Sequence, residues 1–265
     1  MLEVRGLSKT FQSGGLLRQG QSKKAVDDVS FHLQAGETLA IVGESGSGKS
    51  TTARLAMRLI DSDDGQISWQ GTDVTHLKGR ALRLQRHQIQ MVFQDPFASL
   101  NPRMRIWESV AEGLRVHRPD MNKQQRRDAV ADVLQQCGLS DAIMQRYPHQ
   151  FSGGQRQRIG IARALIVEPK VLVLDEPVSA LDVSVQAQIL NLLKDLQKAS
   201  DLAYLFISHD LSVIQHIADR VLVMFDGKVV EKGKVADVFA KPQHDYTREL
   251  LAARPITHPS ERISL

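Results

Sequence analysis

Cysteine, aromatic residues and long apolar runs are all scarce in this chain of 265 residues. Its single cysteine, Cys137, excludes an internal disulfide framework and any metal cluster built on cysteine, and it fits a reducing compartment. As a lone small side chain, Cys137 is expected in the core. No stretch reaches the roughly 18 consecutive apolar residues that a membrane-crossing helix needs. Runs such as Val171 to Leu174 and Val221 to Phe225 have the length of strands. The opening Met1-Leu2-Glu3-Val4-Arg5 lacks the basic, apolar and small-residue regions of a secretory signal, which predicts a chain that stays in the cytosol. A large charge of one sign is missing as well. Against 34 Lys and Arg stand 30 Asp and Glu, and the resulting net charge of +4 fits an ordinary solvated surface, so no nucleic-acid partner is expected.

What is present is apolar pattern and glycine at particular places. With 42% hydrophobic residues the chain can bury one substantial core. Residues 2 to 11 and 26 to 42 read as strands separated by a polar, glycine-containing loop from Gln12 to Lys24. The run Thr38 to Val42 ends in a glycine-rich turn, and Lys49 to Ile60 follows with helical spacing that sets Leu55, Leu59 and Ile60 near one face. From about Trp107 to Ile166 the pattern is helical, with charged runs such as Lys123 to Asp128 on solvated faces. Val171 to Leu174 and Ala203 to Ser208 then read as buried strands of a parallel sheet between helices. The expected class is α/β: a parallel-sheet core, a β-rich N-terminal part and an inserted helical region at about 95–166. One domain is expected over 1–254, with a polar tail at 255–265.

The strongest motif is Gly43-Glu44-Ser45-Gly46-Ser47-Gly48-Lys49-Ser50, which matches G-x-x-x-x-G-K-[ST] between a strand and a helix and is followed by Thr51. Glycines let such a backbone curl until its amide hydrogens point at phosphate oxygens, and the helix that follows aims its positive end at the same place. Lys49 is expected to neutralise the β and γ phosphates, and the Ser50 hydroxyl to ligate Mg²⁺. A second site for metal and water is expected where the apolar run Val171 to Leu174 delivers Asp175 and Glu176 to a strand end. Asp175 then holds Mg²⁺ through water, and Glu176 polarises the attacking water as general base.

Phe151-Ser152-Gly153-Gly154-Gln155, ahead of the Asp175-Glu176 strand, resembles the signature motif of the ABC ATPase family. The order of the other motifs carries the same resemblance: Gln94 in Val-Phe-Gln-Asp-Pro matches the Q-loop, Ser179 to Asp182 the D-loop, and His209 in Ile-Ser-His-Asp the switch histidine. Phe11 sits where such proteins place an adenine-stacking aromatic, and Phe151 departs from the usual leucine. The resemblance covers nearly the whole chain and implies a P-loop NTPase (RecA-like) core with an antiparallel β subdomain and an inserted helical subdomain. It implies that Gln94 senses the γ phosphate and Mg²⁺, that His209 holds the γ phosphate and orients the water, and that Ser152, Gly153, Gly154 and Gln155, with Asp182, meet ATP held by a second cassette. A helix start capped by Ser152, with bare glycine amides behind it, is an anion site by its own chemistry.

Three further stretches, Asp95 to Pro102, Val183 to Gln188 and His244 to Leu251, look like the peptide and nickel importers. That likeness implies a second ATPase subunit, as a heterodimer or else a homodimer, two integral permeases, an extracytoplasmic solute-binding protein reached through the complex, and a place on the cytoplasmic face of the bacterial inner membrane. The nine histidines lack paired ligand spacing, so nickel binding by the chain itself is not expected. The competing readings are an ABC protein tied to DNA or ribosomes, an exporter or other-substrate ATPase, and a regulator that binds ATP without hydrolysing it. The first is disfavoured by the lack of long coiled-coil insertions and zinc fingers, the last by Lys49, Glu176 and His209.

Overall fold

The computed structural model describes residues 1–13, 21–95 and 99–253. Ten strands occur among them: β1 (Leu2–Ser13), β2 (Gln21–Leu33), β3 (Thr38–Val42), β4 (Asp64–Trp69), β5 (Thr72–Asp73), β6 (Ile89–Val92), β7 (Val171–Asp175), β8 (Ala203–Ile207), β9 (Arg220–Phe225) and β10 (Lys228–Lys234). They form two sheets. One is antiparallel in the order β2-β1-β4-β5, and the other runs β10-β9-β3-β8-β7-β6. In the larger sheet β9, β3, β8, β7 and β6 are parallel, and β10 pairs antiparallel at one edge.

Strands buried on both faces still alternate, and the alternation decides which core each side chain enters. Leu39, Ile41, Val173, Leu205 and Leu222 join the core that contains the antiparallel sheet and the helix after β3. Their neighbours Ala40, Val42, Leu172, Phe206 and Val223 join the larger core, which also holds buried residues of the helices between β6 and β7. The central sheet is therefore a partition between two apolar layers.

The helices are α1 (Lys49–Ala56), α2 (Gly79–Gln85), α3 (Ile106–Val110), α4 (Glu112–His117), α5 (Lys123–Gln136), α6 (Gly153–Leu165), α7 (Val183–Ser200), α8 (Leu211–Ile217), α9 (Val235–Ala240) and α10 (Asp245–Ala252). Helices α3 to α6 lie in the chain between β6 and β7. Cys137 is fully buried in the larger core, and burial pushes its thiol up to about 12, as an inert core residue requires. Among the described residues no helix is long and apolar enough to cross a membrane.

Three boundaries differ from the sequence expectation. The loop from Gln12 to Lys24 is narrower, because β1 and β2 keep pairing as far as Ser13 and Gln21, with Phe11 opposite Lys23; only 14–20 lie outside the described residues. Residues 26 to 42 are two strands in different sheets, split by a turn whose Gly36 takes a left-handed φ of 66°. The helix from Lys49 stops at Ala56, short of Ile60. Arg58 adopts φ 54° there, and the backbone bonds Leu59 N to Arg54 O and Arg58 N to Leu55 O close a Schellman stop. The Arg58 guanidinium is buried against the carbonyls of Val74 and Leu77, which holds that stop and leaves Leu59 43% exposed. The stretch Asp95 to Pro102 is only partly described, and the tail at 255–265 lies outside the described residues.

Candidate nucleotide site

Four adjacent strands of the parallel sheet end side by side, and each hands one piece of the site to its carboxyl edge. From β3 comes the glycine loop, from β8 His209, from β7 Asp175 and Glu176, and from β6 Gln94. Register makes them neighbours: Ile207 pairs with Ile41 on one side and Asp175 on the other, and Val92 pairs with Leu174.

The glycine loop is shaped by its neighbours as much as by a ligand. Gly43, Gly46 and Gly48 take φ of 147°, 83° and 105°, where other residues are strained. A Cβ on Gly43 would lie 2.2 Å from Met224 O and one on Gly48 2.4 Å from Ala25 O, so the backbone below the loop excludes side chains there. At Gly46 a Cβ would meet nothing. Gly48 caps α1 without a side-chain hydrogen bond, so no capping side chain covers the first-turn N–H groups. Ser47 Oγ is buried with no partner, while Lys49 Nζ donates to the carbonyls of Gly43 and Glu44, each at 2.7 Å. Burial pushes the Lys49 ammonium below its ordinary range, against the pull of Glu176, Asp175 and Glu44. A partnerless hydroxyl, an ammonium with a donor to spare and a bare helix start together fit a phosphate group.

Beside the loop, Ser50 Oγ donates to Asp175 Oδ1 at 3.0 Å. Burial raises the Asp175 carboxyl above its usual range, with the Ser50 bond and Arg54 opposing. A hydroxyl and a carboxylate offer the hard oxygen donors that Mg²⁺ takes, alongside water and phosphate oxygens.

Glu176 is the most constrained residue of the site. Its φ of 47° is left-handed for a residue with a Cβ, a conformation that costs about 1 kcal/mol or more and persists where the surroundings enforce it. They do so here: Glu176 N donates to Ile207 O at 2.9 Å, and Ser179 N and Oγ donate to Glu176 O at 3.3 and 3.1 Å. The carboxylate lies between Gln94 Nε2, which donates to Oε2 at 3.0 Å, and His209 Nδ1, 3.0 Å from Oε1.

These residues share a cleft of about 890 Å³ with Phe11, Lys23, Glu44, Ser45, Gly46, Thr51, Leu250 and Ala253. Phe11 is 45% exposed. Ser152, Gly153, Gly154, Gln155 and Asp182 do not line it. They form a second cluster. Ser152 Oγ accepts from Gln155 N at 3.4 Å, and Gln155 Oε1 accepts from Ser152 N, a capping box that opens α6. A Cβ on Gly154 would come 2.4 Å from Val185 Cγ1 and one on Gly153 3.2 Å from Leu181 Cδ2, so both glycines are also needed for packing against the start of α7, which Asp182 caps.

Sequence reasoning missed Lys23, Leu250, Ala253 and Tyr246. Lys23 falls in the expected loop from Gln12 to Lys24, Tyr246 and Leu250 fall in the stretch from His244 to Leu251 that carries only a family likeness, and Ala253 lies just beyond it. Tyr246 Oη accepts from Glu44 N at 2.8 Å.

A glycine loop shaped to take phosphate, with acids and a bare helix start beside it, places this molecule in the class of P-loop nucleotide-binding proteins. It belongs to the ABC transporter family, whose sequence pattern matches residues 26–179, and is an ATP-binding cassette. It is 53% identical over 236 residues to the oligopeptide transport ATP-binding protein OppF of Salmonella typhimurium, covering 89% of this chain and 71% of that protein. OppF of Bacillus subtilis is 48% identical over 260 residues, covering 98% and 84%. A solved dimeric ATP-binding cassette in a post-hydrolysis state, bound to ADP and Pi, superposes with a TM-score of 0.78 at 29% identity, covering 89% of this chain and 99% of that one.

Proposed function

We propose that this chain hydrolyses ATP to drive peptide import through partner permeases at the cytoplasmic face of a bacterial inner membrane. The observation that carries the reading is the single carboxylate of Glu176, held by Gln94 and His209 in the same cleft as the Lys49 loop. Kinship with oligopeptide transport ATP-binding proteins supports peptides as the cargo class.

In this reading Phe11 stacks on the adenine, and the loop from Gly43 to Thr51 cradles the phosphates, with Lys49 neutralising their charge. Ser50, Asp175 and Gln94 would hold Mg²⁺, which would supply neutralisation of the phosphate charge. Glu176 takes the proton of a water as its oxygen bonds the γ phosphorus; the bond to the β–γ bridging oxygen breaks, and ADP keeps that electron pair. His209 orients the water and holds the γ phosphate. Ser152, Gly153, Gly154 and Gln155, with Asp182, contact the ATP of a second cassette, in a heterodimer or a homodimer. Their exclusion from this chain's own cleft and the likeness to a dimeric cassette support that division.

A groove of about 450 Å³ at Phe93, lined by Met57, Leu59 and Val116 together with the charged Arg83, Arg86, Glu112 and Arg163, supports docking of a permease segment with apolar and charged groups. Two such permeases and an extracytoplasmic binding protein complete the importer, with no role for nucleic acid. The test is peptide uptake by vesicles that carry the co-expressed permeases and binding protein. Uptake is expected to require ATP, and Lys49→Ala is expected to weaken ATP affinity about 100-fold by calorimetry and to stop uptake. ATPase activity stimulated by ribosomes or DNA, and indifferent to the permeases, would replace this reading.

A further inference from the structure

The last described helix, α10, has no part in the reading above, yet it touches the phosphate loop. Tyr246 is only 6% exposed, and its hydroxyl accepts the Glu44 N–H at 2.8 Å across 202 positions of sequence. Its ring tilts against Phe225 with centroids 4.4 Å apart, at the end of β9. The turn that follows braces the same loop from below, where Gly227 N donates to Ser47 O at 3.0 Å. One turn beyond Tyr246, Leu250 lines the nucleotide cleft, as does Ala253 just past the helix. The helix is itself fixed at its start. His244 Nδ1 accepts from Tyr246 N at 3.2 Å, and Glu231 of β10 accepts from the backbone N–H groups of Gln243 and His244 at 2.8 and 3.0 Å.

From this geometry we propose that α10 is a wall of the nucleotide site: Tyr246 is a positioning residue that holds the first peptide of the phosphate loop, and Leu250 with Ala253 forms an apolar contact for the nucleoside part of a nucleoside triphosphate. The inference rests on the nucleotide-binding reading. A peptide N–H pinned by a rigid phenol keeps the Gly43-Glu44 segment from drifting when Lys49 leaves its two loop carbonyls for phosphate. Two apolar side chains that line the cleft along with Phe11 and Ala25 contact base or ribose better than phosphate.

The two halves of the proposal are separable by ligand. Calorimetry on the full chain compares ATP with inorganic tripolyphosphate, for the wild type, Tyr246→Phe and Leu250→Ala. Tyr246→Phe keeps the ring against Phe225 and removes only the acceptor, so both ligands are expected to bind about tenfold more weakly. Leu250→Ala is expected to weaken ATP about fivefold and leave tripolyphosphate unchanged. Hydrogen exchange at the Glu44 amide is expected to quicken in Tyr246→Phe alone. Wild-type affinity for both ligands in Tyr246→Phe overturns the positioning role, and equal weakening of both ligands by Leu250→Ala overturns the nucleoside contact. A folded wild-type chain that binds neither ligand overturns the nucleotide reading itself.

Discussion

The glycine loop at Gly43 to Ser50 and the glycine turn at Ser152 to Gln155 are both helix starts suited to phosphate, but the chain finishes them differently. The first is enclosed. Backbone from β2 and β9, the β9–β10 turn and Tyr246 brace it, acids flank it, and a buried Ser47 hydroxyl is left without a partner. The second is self-contained: its capping box satisfies Ser152 and Gln155, its glycines pack on Leu181 and Val185, and it lies outside the cleft. A phosphate site needs charge and walls as well as free amides. In the proposed reading, one half-site has its walls in this chain, and the other is completed by a second copy or a related cassette.

The sharpest way to break this comparison is Glu176→Gln. In the proposed reading Glu176 is the proton acceptor and belongs to the enclosed half-site alone, so hydrolysis is expected to fall at least 100-fold while ATP binding persists. ATP-dependent dimers should then accumulate on size exclusion, and hydrolysis at the wild-type rate would remove Glu176 from the role. A smaller effect is expected from Gly154→Ala. The added methyl meets Val185 Cγ1, a stiff β-branched neighbour, and displaces the turn. In the Glu176→Gln background the ATP-driven dimer is expected to weaken about tenfold by sedimentation, with the affinity of one chain for ATP unchanged. A change in that affinity would show that the two half-sites are not separate.

The smallest effect concerns the cost of keeping acids in the enclosed half. Burial raises the Asp175 carboxyl in the folded chain above its unfolded value. The folded state therefore holds more protons than the unfolded one between those two values, and stability falls as pH rises through that window. Without nucleotide or metal, Asp175→Asn is expected to raise the unfolding temperature by roughly 2 °C at neutral pH, and the gain should vanish below the ordinary carboxylate range. A constant offset at every pH would assign the change to packing instead of charge.

The phosphate loop, the Asp175-Glu176 pair and the Ser152 cap could be read from the chain because each is contiguous: spacing, glycine and capping chemistry act over a few residues. The same locality explains the errors. The helical spacing through Ile60 continued past Ala56, where the burial of Arg58 against the carbonyls of Val74 and Leu77 stops the helix. The apolar pattern from 26 to 42 did not reveal that its two halves belong to different sheets.

By itself, the sequence determined where the phosphate loop, the Asp175-Glu176 strand end and the Ser152 helix start fall, and which family the chain belongs to, since each motif depends on side chains a few residues apart. Only the tertiary structure decided that β3, β8, β7 and β6 stand in that order, so that Gln94 and His209 close on Glu176, and that Tyr246 reaches back to Glu44. Strand order and contacts across 202 positions are set by how two apolar layers pack against a shared sheet, a long-range balance that no local pattern encodes.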